Sequence, residues 1–144
     1  MKLSRIKKLI FLHLQHLPMK SRGMRPKFCA LGGVDIVNPS KTFIGENVIF
    51  DTNYPEDITI EEGVRFTAGV AIVTHFMNPN TGTYDRGKVH IKKRAYLGMN
   101  TLVVKPVTIG EDAIVGAGSI VTKDIPDGEV WAGNPARFIR KREL

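Results

Sequence analysis

The chain has 144 residues, with Lys+Arg 21, Asp+Glu 14 and a formal net charge of +7. That length suits a single compact domain, and 42% hydrophobic against 24% charged residues excludes wholesale disorder and collagen-like repeats. A single cysteine, Cys29, excludes an internal disulfide framework and any cysteine-based zinc cluster. The net charge points to an anionic partner: nucleic acid, a lipid surface or a phosphorylated small molecule.

The charge is concentrated at the two ends. Lys2, Arg5, Lys7, Lys8, Lys20, Arg22, Arg25 and Lys27 all precede the first acid, Asp35, and Arg137, Arg140, Lys141 and Arg142 crowd the last residues. A basic run at Met1–Lys8 followed by apolar Leu9–Leu12 looks superficially like a signal peptide. His13, Gln15 and His16 interrupt the run, no small-x-small cleavage site follows, and it is far short of the ~20 apolar residues of a membrane span. Ile6, Leu9, Ile10, Leu14 and Leu17 instead predict one face of an amphipathic helix closed by Pro18. The expectation is a cytoplasmic protein that begins with a basic helical segment, residues 1–33.

From residue 60 the sequence repeats every six residues. Ile60, Phe66, Ile72, Ile91, Leu97, Val103, Ile109, Val115 and Val121 are all apolar, and glycine often comes next, as at Gly98, Gly110 and Gly116. Small or β-branched residues stand four positions later: Val64, Val70, Ala95, Thr101, Val107, Ala113, Ser119 and Ile125. Neither a helix nor ordinary strand alternation has a period of six. A short strand plus a tight turn does, as one side of a triangular coil of 18 residues stacked by parallel ladders. Coils are expected at 60–77, 91–108 and 109–126, within a β-helix spanning 34–128. Ahead of them, Thr42, Val48 and Tyr54 compete with Ile44 and Phe50 to set the frame of a less regular coil.

Strict repetition fails after residue 77. Residues 78–90 are extra and have the Asn, Pro, Thr and Gly content of an exposed loop. Insertions of this kind build binding surfaces on the edge of a solenoid. His75 stands just before the loop, as a proton acceptor near neutral pH or as a structural histidine at a coil corner. His90, at a strand start, and His13 and His16, on the predicted helix, read as exposed or interfacial.

At the far end, Pro126, Gly128, Gly133 and Pro135 read as a solenoid cap over residues 129–144, ending in a short basic helix. Capping does not require Lys123, Arg137 and Arg140, whose charges can meet a phosphorylated cofactor.

The motifs Ile-Gly-Glu-Asp-Ala-Ile (109–114) and Val-Gly-Ala-Gly-Ser-Ile (115–120) resemble the hexapeptide repeats of the acyltransferase superfamily. That resemblance implies an all-β, left-handed parallel β-helix. Thr74-His75, the Asn/Pro-rich loop and the run resuming at Ile91 are similar to maltose, galactoside and sugar O-acetyltransferases, which implies that His75 is the catalytic base. The closing Thr122-Lys123-Asp124-Ile125-Pro126 and Gly133-Asn134-Pro135-Ala136-Arg137 resemble the family's acetyl-CoA-binding end. By matched position, Gly98, Met99, Ala117, Gly118, Thr122, Lys123, Arg137 and Arg140 fall at the coenzyme, with the small Gly98, Ala117 and Gly118 leaving room for its pantetheine arm. The family is trimeric, with donor and acceptor meeting between subunits. His16-Leu17-Pro18 and Tyr54-Pro55-Glu56-Asp57-Ile58 resemble capsule and lipopolysaccharide O-acetyltransferases. Asn47 matches a sugar-contacting position of the galactoside enzymes, whereas Pro55 stands where they carry an aspartate. Asp51 and Asn53 are further polar candidates for the acceptor, and each is equally a turn residue.

The expected function is acetyl-CoA-dependent O-acetylation of a sugar hydroxyl in capsule, exopolysaccharide or lipopolysaccharide synthesis, without a metal. Residues 1–27 are a candidate for contact with the inner face of an anionic membrane, or for packing within the trimer. The rivals are a serine, maltose or antibiotic acetyltransferase and a non-catalytic β-helical scaffold. Nucleic-acid binding lacks the expected stacking platform or reading motif.

Overall fold

Two-residue strands recur every six residues because each hexad supplies one pair of strand-forming side chains and then a turn. The computed structural model describes residues 2–17 and 23–143, beginning with helices α1 (Lys2–Leu14) and α2 (Met24–Leu31). The first coil holds β1 (Asp35–Ile36), β2 (Phe43–Ile44) and β3 (Ile49–Phe50), and the second β4 (Ile58–Ile60), β5 (Arg65–Phe66) and β6 (Ala71–Ile72). A hairpin of β7 (His75–Met77) and β8 (Tyr84–Arg86) then leaves the stack. Two further coils follow, β9 (Val89–Ile91), β10 (Tyr96–Leu97) and β11 (Leu102–Val103), then β12 (Thr108–Ile109), β13 (Ile114–Val115) and β14 (Ile120–Val121). A second hairpin, β15 (Glu129–Ala132) and β16 (Arg137–Lys141), ends the fold.

Equivalent strands stack in parallel into three faces. Face A is β1-β4-β9-β12, face C is β3-β6-β11-β14, and face B runs from β2 through β5, β10 and β13 to β15 and β16. The register follows the hexads. Ile60 aligns with Ile91 and Ile109, Phe66 with Leu97 and Val115, and Ile72 with Val103 and Val121. All nine are completely buried, each worth about 1.5–3 kcal/mol of apolar burial. In the first coil Ile36, Ile44 and Phe50 join the same columns, so the Ile44/Phe50 frame wins and Val48 takes the corner position. Phe50 meets Phe66 edge-on, with ring centroids 5.5 Å apart.

Neighbouring coils approach so closely that side chains are excluded at some positions. A Cβ on Gly98 would lie 2.8 Å from Ala117 Cα, and one on Gly110 would lie 2.7 Å from Asp127 Cα. The turns between faces bend through the left-handed region, which Asn47, Arg94, Asn100 and Asp112 also adopt.

Two sequence expectations change and a third is refined. The residues after 77 form a hairpin rather than an irregular loop, because Gly82 at φ 68° and the Gly82 N–H bond to Asn78 O turn the chain back on itself. The terminal segment is a hairpin rather than a helix: β15 supplies the next rung of the ladder to β13, and β16 folds back on β15. The apolar stripe of α1 is only partly covered within the chain, with Leu9 and Leu14 half-buried. Leu12 and Gln15 are buried and Phe11 stacks on Phe28, whereas Ile6, Ile10 and Leu17 are each more than half exposed. Gln15 decides this orientation: its Nε2 donates to Val48 O and its Oε1 accepts from Cys29 Sγ, tying both helices to the open end of the coil. The helix stops at Leu14, and Pro18, the expected stop, lies outside the described residues. Among the described residues no helix is long and apolar enough to cross a membrane.

Candidate active site

His75 begins β7, where the chain leaves face C for the inserted hairpin, and its side chain is 26% exposed. Its Nδ1 lies 2.5 Å from Asp51 Oδ2, and the Asp51 side chain is only 1% exposed. The same carboxylate accepts from Thr74 N–H at 2.9 Å, Thr74 Oγ1 at 3.0 Å and Asn53 N–H at 2.9 Å. Burial pushes the Asp51 pKa up, but these hydrogen bonds and the one from His75 outweigh it, holding the group below the usual carboxylate range.

An ionised carboxylate only accepts, so the Nδ1 of His75 carries its proton and Nε2 presents a lone pair. The other side of the ring agrees. Arg5 on α1 donates from Nη2 to Asn53 Oδ1 at 3.1 Å, which turns the Asn53 amide nitrogen toward His75 Nε2 at 3.3 Å. A guanidinium has no acceptor, so it fixes which way the amide points. Both constraints select the tautomer of a general base.

Aromatic and charged groups surround the ring. Tyr54 and Tyr84 stand 5.7 and 5.9 Å from it by ring centroids. The Arg86 guanidinium lies 4.0 Å over the Tyr54 ring and binds Asp57, while Lys8 pairs with Glu56 at 3.0 Å. The antiparallel register sets Arg86 opposite His75, so the inserted hairpin carries part of the site.

The other expected residues separate into groups. Ladder bonds from Val73 N–H to Val103 O and from Val104 N–H to Val121 O stack Val73, Val104 and Thr122 on one corner. Thr74, Lys105 and Lys123 come next on that same corner, so Lys123 is two rungs along the stack from Thr74, the residue before His75. Met99, Ala117 and Gly118 lie on the opposite edge of face C, at the turn from face B, and all three are exposed. A Cβ on Gly118 would meet nothing within 4 Å, so the surface there is open. Arg137 and Arg140 are exposed on β16.

One expected role changes, and the setting of two other residues is now defined. Asp51 is too buried to touch an acceptor and instead orients His75. Asn47 is a left-handed turn residue at φ 55° between faces B and C, on the same edge of face C as Met99, Ala117 and Gly118, in a depression shared with His16, Arg25 and Glu46. The absent side chain of Gly98 makes room for Ala117 of the next coil. Asn53 does reach the site. Arg5, Tyr84 and Arg86 were missed. Tyr84-Asp85-Arg86 alternates as a strand would, but a contact spanning 48 residues leaves no local trace of Arg5. A surface depression bounded by Gly63, Arg65, Arg94, Tyr96 and Arg142 lies elsewhere and contains no histidine.

A family model for bacterial transferase hexapeptide (six repeats) matches residues 88–123. The galactoside O-acetyltransferase of Lactococcus lactis is 34% identical over 109 residues, covering 74% of this chain and 46% of that protein. A maltose O-acetyltransferase structure from Clostridium difficile superposes with a TM-score of 0.69 at 24% identity, covering 99% of this chain and 88% of that one. A hexapeptide-repeat acetyltransferase from Vibrio cholerae, solved with acetyl coenzyme A, gives 0.76 at 19% identity, covering 99% and 89%. This chain spans less than half the length of the curated relatives it matches first. With its hexads locked in register through every complete coil, the chain belongs to the hexapeptide-repeat acyltransferase superfamily of left-handed β-helices.

Proposed function

We propose that the protein is an acetyl-CoA-dependent O-acetyltransferase acting on a saccharide hydroxyl. The observation that carries this reading is the polarised histidine, with Asp51 on Nδ1 and a lone pair on Nε2 beside Asn53. The acceptor hydroxyl replaces the Asn53 amide on Nε2 and gives up its proton there as its oxygen attacks the acyl carbon. Asp51 stabilises the imidazolium that forms, and the proton then serves the departing thiolate. Acetyl-CoA supplies the acyl group as a thioester.

The coenzyme residues fit an extended, phosphorylated ligand. Lys123, Arg137 and Arg140 have no carboxylate partner among the described residues, and Met99, Ala117 and Gly118 form an open, sparsely substituted wall. Lys123 stands at one corner of face C and Met99, Ala117 and Gly118 at the other, with Arg137 and Arg140 on β16 of face B, which favours a ligand held between two copies of the chain. The outward residues of face C, Ile49, Ala71, Leu102 and Ile120, are apolar where face A shows Asp35, Thr59, His90 and Thr108. A homotrimer that covers face C and shares its sites between subunits accounts for both features. The Lactococcus relative supports a sugar acceptor, and the tyrosines beside His75 suit a pyranose ring. A capsule or lipopolysaccharide precursor, and contact of residues 1–27 with the membrane that holds it, extend the same reading; exposed Ile6 and Ile10 support the contact.

Free-thiol release from acetyl-CoA over a panel of saccharides and serine tests the activity. Release that depends on a saccharide and on His75 is expected. A thermal shift tests the donor separately, since saturation at 100 Kd adds about 2.7 kcal/mol. Absence of both thiol release and thermal shift would instead indicate a β-helical scaffold.

A further inference from the structure

The chemistry above gives Arg5 no use for its charge. Holding the Asn53 amide oxygen takes one N–H, whereas a guanidinium brings five and a full positive charge. Arg5 is exposed, and among the described residues no carboxylate pairs with it. Of the other charged groups near His75, Lys8 is matched with Glu56, Arg86 with Asp57 and Glu56, and Asp51 with the histidine, while Asp85 and Lys105 stand beside Phe76 at the hairpin. On the Asn53 side of the ring the unmatched charge is therefore positive. It stands a single amide group away from the nitrogen that meets the acceptor hydroxyl.

Resting on the O-acetyltransferase reading, we propose that Arg5 is the specificity-determining residue of the acceptor site, and that the acceptor is an acidic saccharide with a carboxylate or phosphate close to the hydroxyl that is acetylated. An acceptor that displaces Asn53 from Nε2 brings its neighbouring substituents against the donors of Arg5 that have no protein partner. An anion there forms a charge-assisted, bidentate contact that a neutral sugar lacks. Tyr54 and Tyr84 pack the ring, and Arg5 reads the acid. The residue comes from α1, so the helices that cap the coil also complete the pocket. The same contact makes Asn53 a positioning residue, with its amide held ready by Arg5 until the acceptor arrives.

Footprinting of His75 with diethylpyrocarbonate, mapped by mass spectrometry, reads occupancy without needing turnover. The probes are galactose, galacturonate and galactose 6-phosphate. At least one acid is expected to protect His75 at a concentration about tenfold lower than galactose. Which acid is more potent distinguishes a carboxylate from a phosphate. The acidic advantage should collapse in Arg5→Gln, persist in Arg5→Lys, and shrink in the wild type as salt rises. The salt titration stands by itself if a variant fails to fold. Equal protection by all three sugars, protection by none, or an acidic advantage that survives in Arg5→Gln or in high salt overturns the proposal. Failure of the O-acetyltransferase reading looks different: no thiol release from acetyl-CoA, with the acidic advantage in the footprint intact.

Discussion

Asp51 and His75 are 24 residues apart in sequence, yet the carboxylate Oδ2 lies 2.5 Å from the imidazole Nδ1. One full coil brings them together, because Ala71-Ile72 stacks directly on Ile49-Phe50 in face C and the chain turns off the face just beyond each pair. The pair is therefore a product of coil register. His75→Ala should lower turnover at least a hundredfold while acetyl-CoA binding persists. Asp51→Asn should cost about a hundredfold or more in kcat with little change in KM, since an amide donating to Nδ1 selects the opposite tautomer. Steady-state thiol release checks both, and near-wild-type turnover in His75→Ala would sink the mechanism.

The same carboxylate should shape stability in acid. Its folded pKa is depressed, so it contributes stability above the ordinary carboxylate range, and this is lost as pH falls through the lower folded value. Melting temperatures measured from pH 6 down to pH 3 should fall more steeply in the wild type than in Asp51→Asn. Glu56, Asp112 and Asp127 are also depressed and remain in the variant, so its acid limb should flatten without vanishing.

Coil stacking makes two kinds of substitution costly for different reasons. Phe66→Ala removes a fully buried ring that meets Phe50 edge-on, for a loss of about 3–5 kcal/mol. Gly98→Ala adds a single carbon where the backbone of Ala117 already stands, so the coils must separate locally. Denaturant titration should find both destabilised, with Gly98→Ala affected despite its small volume.

Cys29 should be inert in the folded protein. Burial is the main cause that pushes its thiol up to about 12, and its Sγ donates to Gln15 Oε1 at 3.1 Å. A thiol reagent at pH 8 should label it only after unfolding. Rapid native labelling would mean that the helical cap opens.

Donor binding should separate from chemistry. Lys123→Ala and Arg137→Ala are each expected to raise the KM for acetyl-CoA by about tenfold, since each removes a charge available to a phosphate. The kcat at saturating donor should change far less than in His75→Ala. Unchanged KM values in both variants would move the coenzyme off this end of the coil.

Much of this was legible in the chain. A period of six specified the coil, the buried columns and their register, because a stacked triangular solenoid needs the same inward residue at every equivalent position. The interruption after residue 77 marked where the solenoid opens a binding edge, and His75 stood beside it. Periodicity could not reveal the partners of that histidine. Asp51 read as an acceptor contact or a turn residue and Arg5 as one basic residue among eight, because each acts through a contact made only when a whole coil or a capping helix is in place. The packing face of α1 was hidden for a related reason. Its apolar stripe is visible in sequence, but the buried Gln15, which satisfies a backbone carbonyl and a thiol from two other segments, sets the rotation of the helix. The sequence by itself determined the repeat, and hence the coil, because that information is local and recurs. Only the tertiary structure decided the tautomer of His75 and what surrounds it, because those depend on single contacts between distant residues.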